Sequence, residues 1–305
     1  MAMAGGRSVI DRIIDVFIFI SMLLVIALIV YPFLNALAIS FNHADDTALG
    51  GITVFPRVFA WESYRNVVTN PMIWNAYAVT VYRTLAGTIL ATFFTGILSF
   101  GLAHPNLVGR KYYSIILLIP MYFGGGLIPT FLMYRAMGLF NNPLVFVVPN
   151  LIGLWNVILM RTYFQTLPQA LEESAKIDGA NYLQIFFKII IPVSMPIIAT
   201  IALFNGIWHW NDWFYGTIYI VNQAWKPMQN VLLSVINDAR QAEMLAAIRG
   251  GLAAAAASAA ARTRPVNVRS ITMATMFVTI FPVLVVYPFL QRYFIKGVMI
   301  GSIKG

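Results

Sequence analysis

The chain has 305 residues, 60% of them hydrophobic and only 10% charged, with a mean hydropathy of +0.77. Soluble domains carry about 25% charged residues, so this composition excludes a water-soluble globular protein and describes an integral membrane protein. The formal charge of +9 suits anionic lipid headgroups and not nucleic acid, because no basic, aromatic-studded soluble domain exists to carry it.

Residues 1–15 form a short polar start that reads as a cytoplasmic N-terminus. The apolar run Phe17–Ala38 meets the length of about 20 residues that a span needs, and no small-residue cleavage site ends it. Residues 16–39 are therefore expected as a retained first transmembrane helix, with Pro32 placed to kink its outer end. Residues 40–72, with Asp45, Asp46, Gly50, Gly51, Pro56 and Pro71, read as an external connection. From 73 to 295 five more helices are expected. The second span, Ala76–Leu102, contains Arg83, and the third, Ser114–Tyr134, is interrupted by GGGLIP (Gly124–Pro129). The fourth is Leu144–Tyr163 and the fifth Ile189–Phe214, with a loop at 166–188 between them. A long external loop, 216–268, precedes the sixth span, Ile271–Phe289, and residues 296–305 read as a cytoplasmic tail. That long loop holds an alanine-rich tract at 250–265, expected to be mobile or a surface helix and given no role. Six spans put both termini on one side. If the long loop is set aside, inner segments carry Arg7, Arg12, Arg110, Lys111, Arg161, Lys176, Lys188, Arg292, Lys296 and Lys304. Only Arg57, Arg65 and Arg135 then remain outside, which places both termini in the cytoplasm.

Between the fourth and fifth spans, EESAKIDGANYLQIFFKIIIP (Glu172–Pro192) alone mixes acids, bases and helix punctuation. Pro168 suits a first helical turn, Gly179 can end a helix in the left-handed conformation, and Asn181 can cap a second helix running through FFKIII into the next span. The reading is a helix–turn–helix on the membrane face. Glu173-Ser174-Ala175, three residues, Gly179, nine residues and Ile189-x-Ile191-Pro192 resemble the EAA loop of ABC importer permeases. Ser174 departs from the family's alanine and Ile191 from its leucine. GGLIPT in span three, HWNDWF at the end of span five, KPMQNVLLSVI at 226–236 and the tail VYPFLQRYFIKGVMIGSIKG are similar to carbohydrate-uptake permeases of the oligo- and polysaccharide branch.

That resemblance implies an all-α type I permease fold of six transmembrane helices, in a bacterial cytoplasmic membrane, with a cytoplasmic coupling helix. It implies a homologous permease as partner in a heterodimer, two ABC ATPase subunits, an external solute-binding protein and a saccharide substrate. The coupling residues it marks are Glu172, Glu173, Ser174, Ala175, Lys176, Asp178, Gly179 and Ala180. In this reading Glu172, Glu173 and Lys176 engage the ATPase, and Ala175, Ile177 and Ala180 fill its groove. The tail would lie under the membrane beside the ATPases or act as a basic anchor. No Gly-x-x-x-x-Gly-Lys-Ser/Thr pattern occurs in the chain, so no cofactor is expected on it, and ATP with Mg2+ would belong to the partner subunits.

For the pathway, Trp208, His209, Asn211, Asp212 and Trp213 set aromatic faces beside hydrogen-bonding groups, a pattern suited to sugar rings as well as to an aromatic belt. Arg83 either snorkels or lines a cavity; in the second case it would favour a uronate- or alginate-like anionic sugar. Gly124 and Gly125 permit either a broken helix at an external gate or close helix packing. The lack of cysteine excludes a disulfide framework, a thiolate metal site and a cysteine nucleophile. His43, His104 and His209 have no metal-ligand spacing, so neither metal nor catalytic residues are expected. A stand-alone ion-coupled carrier would use Arg83 and Asp212, but the chain shows no inverted repeat. An intramembrane enzyme lacks paired carboxylates or a serine elbow.

Overall fold

A computed structural model describes residues 9–248 and 267–302; the alanine-rich tract, the first eight residues and the last three lie outside the described residues. The described chain is helical, and its one strand-like pairing is an isolated bridge between Asn42 and Phe59. Three helices are long and apolar enough to span a membrane: α1 (Val9–Ser40), α4 (Pro71–Ala103) and the Val268–Pro288 part of the last helix. Three bent helix pairs raise the number to six if each pair is one span. The six-span expectation is met in this form, with half the spans broken.

Each break has a local cause. In the third span, α5 (Arg110–Tyr122) and α6 (Leu127–Ala136) meet at 115°, across the three glycines, with Gly126 at φ 82°. Such a backbone is strained for any residue with a Cβ. The fourth span differs from the continuous helix expected. Its first half is two short 3-10 turns, Pro143–Phe146 and Val148–Asn150, bent 43° from α7 (Leu154–Phe164). Pro149 and Gly153 prevent a regular ladder there.

The loop after it forms as its punctuation dictates. Helix α8 (Ala170–Ile177) ends at Gly179, φ 78°, and Asn181 makes a reciprocal capping box with Gln184 at the start of α9 (Tyr182–Ile185). The second helix does not run straight into the fifth span, as expected. It passes through a π turn, Phe186–Ile190, and a short α10 (Ile191–Val193), then bends by 86° at Ser194 into α11 (Met195–Asn211). Pro192 cannot donate to the Lys188 carbonyl, and Pro196 cannot donate to that of Pro192. Two adjacent rungs of the ladder are therefore missing. Beyond α11 lie α12 (Phe214–Ile218) and α13 (Met228–Ile248), so much of the long loop is helical. The last helix, α14 (Val268–Ser302), continues into the stretch expected as a tail.

The chain divides into two compact units, residues 1–70 with 235–278, and residues 71–234 with 279–305. In the first, Asn42 is 1% exposed and organises the connection after α1, which carries α2 (Ala44–Leu49) and α3 (Glu62–Thr69). Its side-chain oxygen accepts from the Arg57 and Val58 amides at 2.9 and 3.0 Å, and its amide donates to Asp46 at 2.8 Å. Arg57 Nε adds a 3.0 Å contact to the same carboxylate. The second unit is built on α4, which packs along α11 and α7. One core joins Phe100 of α4 to Met160, Phe164, Ile190 and Ile201, and another joins Val79 to Phe146 and Tyr219.

The hydrogen bond from Asn42, followed by the contact with Arg57, holds the Asp46 carboxyl below the usual carboxylate range. A depressed pKa stabilises the folded loop above the unfolded value and loses that contribution as pH falls. Hydrogen-exchange protection of the Arg57 and Val58 amides should therefore be constant from neutral pH down to about 5 and drop below about pH 4. A flat profile through pH 3 would remove Asp46 from the account.

Candidate functional site

Two regions at opposite ends of α4 carry the polar side chains singled out in the sequence. The first is the helix–turn–helix. Glu173, Ser174, Lys176, Asp178 and Gly179 are exposed, and Ile177 is 86% exposed, a large apolar side chain presented to the outside beside charges. Lys176 Nζ lies 4.8 Å above the Tyr182 ring, which braces the turn. Three residues behave otherwise than expected. Ala175 is 7% exposed and belongs to the core with Phe100 and Phe186, and Ala180 packs against that core. Neither is free to fill another protein's groove, because the small side chains are what let α8 sit close on the bundle. Glu172 turns inward as well, its Oε2 lying 3.0 Å from His104 Nε2 just beyond the end of α4. Those atoms are close but out of line for a hydrogen bond. A cavity of 410 Å³ lies behind α8, lined by His104, Arg110, Gln165, Glu172, Glu173 and Lys176 among others.

The second region is at the end of α11. Trp208 and Trp213 are 42% and 50% exposed. With Phe204, Ile207, Asn211 and Asp212 they line an open 440 Å³ pocket of mainly apolar character. Around it the expected pathway residues divide. Arg83 is fully buried, so it neither snorkels nor faces open space. Its guanidinium donates to the Asp212 carbonyl at 2.8 Å and to Asp212 Oδ2 at 2.5 Å, and sits 4.6 Å from the centre of the Phe146 ring. The Asp212 side chain is only 8% exposed, turned toward Arg83 at the edge of the open pocket. Its other oxygen accepts from the Phe214 amide at 3.1 Å and so starts α12. His209 is 1% exposed and packs on Gly87 of α4, where any side chain would collide with the imidazole. A rigid, buried arginine–aspartate–histidine group thus lies behind the tryptophans, and only Trp208, Asn211 and Trp213 present substantial surface. Gly124 and Gly125 lie exposed at the α5–α6 break, with nothing within 4 Å of a Cβ built on either. Within this chain they serve the broken helix and not close packing.

Sequence reading missed a polar ladder between α4, α7 and α11. Asn156 Nδ2 donates to Asn205 Oδ1 at 2.9 Å, Asn205 Nδ2 to Thr92 Oγ1 at 3.2 Å, and Ser99 Oγ to the Val157 carbonyl at 3.1 Å. It also missed His104. The available signal was an asparagine in the middle of each of two apolar spans, which is costly unless partnered across helices.

Bent spans, a surface helix–turn–helix at one end and an aromatic pocket at the other define a multi-pass membrane permease. The family model described as "Binding-protein-dependent transport system inner membrane component" matches residues 76–300, and this chain belongs to that family. Among curated relatives, it is 33% identical over 297 residues to the polygalacturonan/rhamnogalacturonan transport system permease protein YtcP of Bacillus subtilis, covering 97% of this chain and 99% of that one. It is 35% identical over 279 residues to protein LplC of the same organism, covering 92% and 90%. Among solved structures, it matches a chain of a bacterial ABC transporter involved in the import of the acidic polysaccharide alginate, with a TM-score of 0.84, 28% identity and coverage of 95% of this chain and 100% of that one. The family assignment bears out the ABC permease reading and displaces the ion-coupled carrier.

The buried pair gives an asymmetric expectation. Asp212→Ala leaves a guanidinium buried without its countercharge, and removing one partner of such a pair costs about 3–5 kcal/mol. Its thermal unfolding in detergent should fall by several degrees. The double variant Arg83→Met/Asp212→Asn should recover most of the loss. Equal midpoints for wild type and Asp212→Ala would show that the pair contributes nothing.

Proposed function

We propose that this chain is the membrane-spanning permease of an ATP-driven importer for an acidic oligo- or polysaccharide. The observation that carries the reading is the likeness to the alginate importer's permease along nearly the whole chain. The polygalacturonan and rhamnogalacturonan named for the Bacillus relative support the same acidic class. Arg83 does not support it, since its charge is matched by Asp212. Acidic selection must then arise from other groups of the assembly, and the pocket at Trp208 and Trp213 supplies apolar faces for the C–H surfaces of sugar rings.

In this reading residues 1–15 and the end of α14 are cytoplasmic, residues 40–72 and 216–268 are external, and α8 faces the cytoplasm. Two ATPase subunits carry ATP and Mg2+, a homologous permease completes the pathway as a heterodimer, and a solute-binding protein delivers the saccharide. This chain hydrolyses nothing. Glu173, Lys176, Ile177 and Asp178 are the groups on α8 accessible to an ATPase surface. Closure of the ATP-bound pair moves α8 as a rigid body, and the permease follows from inward- to outward-facing.

Two measurements test this. Reconstituted with its partners, the complex should hydrolyse ATP faster with oligogalacturonate or oligoalginate plus binding protein than with neutral oligosaccharides of equal length. Stimulation by the neutral set alone would overturn the substrate class. Second, Gly179→Val places a β-branched residue at φ 78°, a conformation it resists. ATP hydrolysis should persist while saccharide uptake falls by roughly tenfold or more, as expected for a perturbation worth about 1.4 kcal/mol or more in the coupled step. Unchanged uptake would remove α8 as the coupling element.

A further inference from the structure

Resting on the assignment of α8 as the coupling helix, we infer that His104 and Glu172 form a clamp through which α4 carries the motion of α8 to the Trp208–Trp213 pocket. The covalent route from α8 leads through α9 and α11. It crosses the π turn at Phe186–Ile190 and the 86° bend at Ser194, where two proline-broken rungs leave the ladder weak. Such a joint transmits a push poorly. The route through space has no such interruption.

Helix α4 runs as one α-helix over Pro71–Ala103 and contains no proline after its first residue. At one end it is tied to α8 by the Glu172 carboxylate 3.0 Å from His104 Nε2 and by Ala175 in the same core as Phe100, while the His104 ring meets Tyr182 at the start of α9 at 5.3 Å. Towards its other end Arg83 grips both the backbone and the side chain of Asp212. Asp212 links α11 to α12, and its contacts fix where Trp208 and Trp213 stand. From Arg83 to Ala103 is 20 residues, roughly 30 Å of helix at 1.5 Å per residue. A helix held towards each end by a contact that reports on one of the two sites can shift as a unit and move both. His104 and Arg83 are positioning residues in this scheme, since each acts through its neighbour, Glu172 or Asp212.

The test compares saccharide imported per ATP hydrolysed in reconstituted complexes, with Gly179→Val as the control for α8 itself. His104→Ala and Glu172→Gln should each lower that ratio about fivefold while basal ATP hydrolysis and assembly persist. The double variant should be no worse than either single one, as one contact would require. Ser194→Gly, which loosens the covalent route, should leave the ratio at the wild-type value. An unchanged ratio in His104→Ala overturns the inference, as does a Ser194→Gly loss equal to that of His104→Ala. Loss of assembly and basal hydrolysis together in His104→Ala and Glu172→Gln would also overturn it, because the clamp would then serve folding alone. If Gly179→Val also imports normally, the coupling role of α8 fails; if only the clamp variants are silent, that role stands and the clamp fails.

Discussion

A guanidinium cannot lie bare among apolar helices, and the second unit is arranged around that constraint. Arg83 sits 0% exposed in α4, where an isolated cation would cost several kcal/mol. Its countercharge comes from Asp212, at the point where α11 stops. One carboxylate thus neutralises a span, ends one helix and begins another. Close packing of α4 on α11 continues beyond this contact. Gly87 lies one helical turn beyond Arg83 and leaves the room that the His209 ring occupies.

Helix breaks are the second organising fact. Irregular backbone at membrane depth is tolerated only where it is buried in protein or lines a cavity. This chain breaks the third, fourth and fifth spans while keeping α4 whole. Interrupted spans are therefore hung on a continuous one. Polar contacts between Asn156, Asn205 and Thr92 tie two of the interrupted spans to α4 in its middle. The breaks so alter direction without releasing the helices from one another.

Much of this was legible from the residues. Apolar run length located the spans, and the punctuation by Gly179 and Asn181 gave the helix–turn–helix, because caps act locally and need no knowledge of the fold. The bend at Ser194 was written in Pro192 and Pro196, four residues apart, though it was read as continuous helix. The interrupted start of the fourth span was likewise signalled by Pro143, Pro149 and Gly153. Pairing could not be read this way. Arg83 and Asp212 are 129 residues apart, and His104 meets Glu172 of α8, so only the folded chain reveals these pairings. The same limit explains why Ala175 and Ala180 were assigned to a partner's surface: small size fits close packing in either direction, and sequence does not say against which protein.

Helix α1 illustrates the opposite extreme. Within the apolar window that qualifies it as a span, none of it is buried against the rest of the chain, and only Ala36, Ala38, Ile39 and Ser40 near its end are enclosed. For most of its length no jigsaw within this chain selects one apolar side chain over another. What is specified there is oiliness and reach, a matter of composition and not of spelling. Packing within this chain thus leaves the identity of the residues from Val9 to Phe33 open, whereas a methyl added at Gly87 would meet the His209 ring.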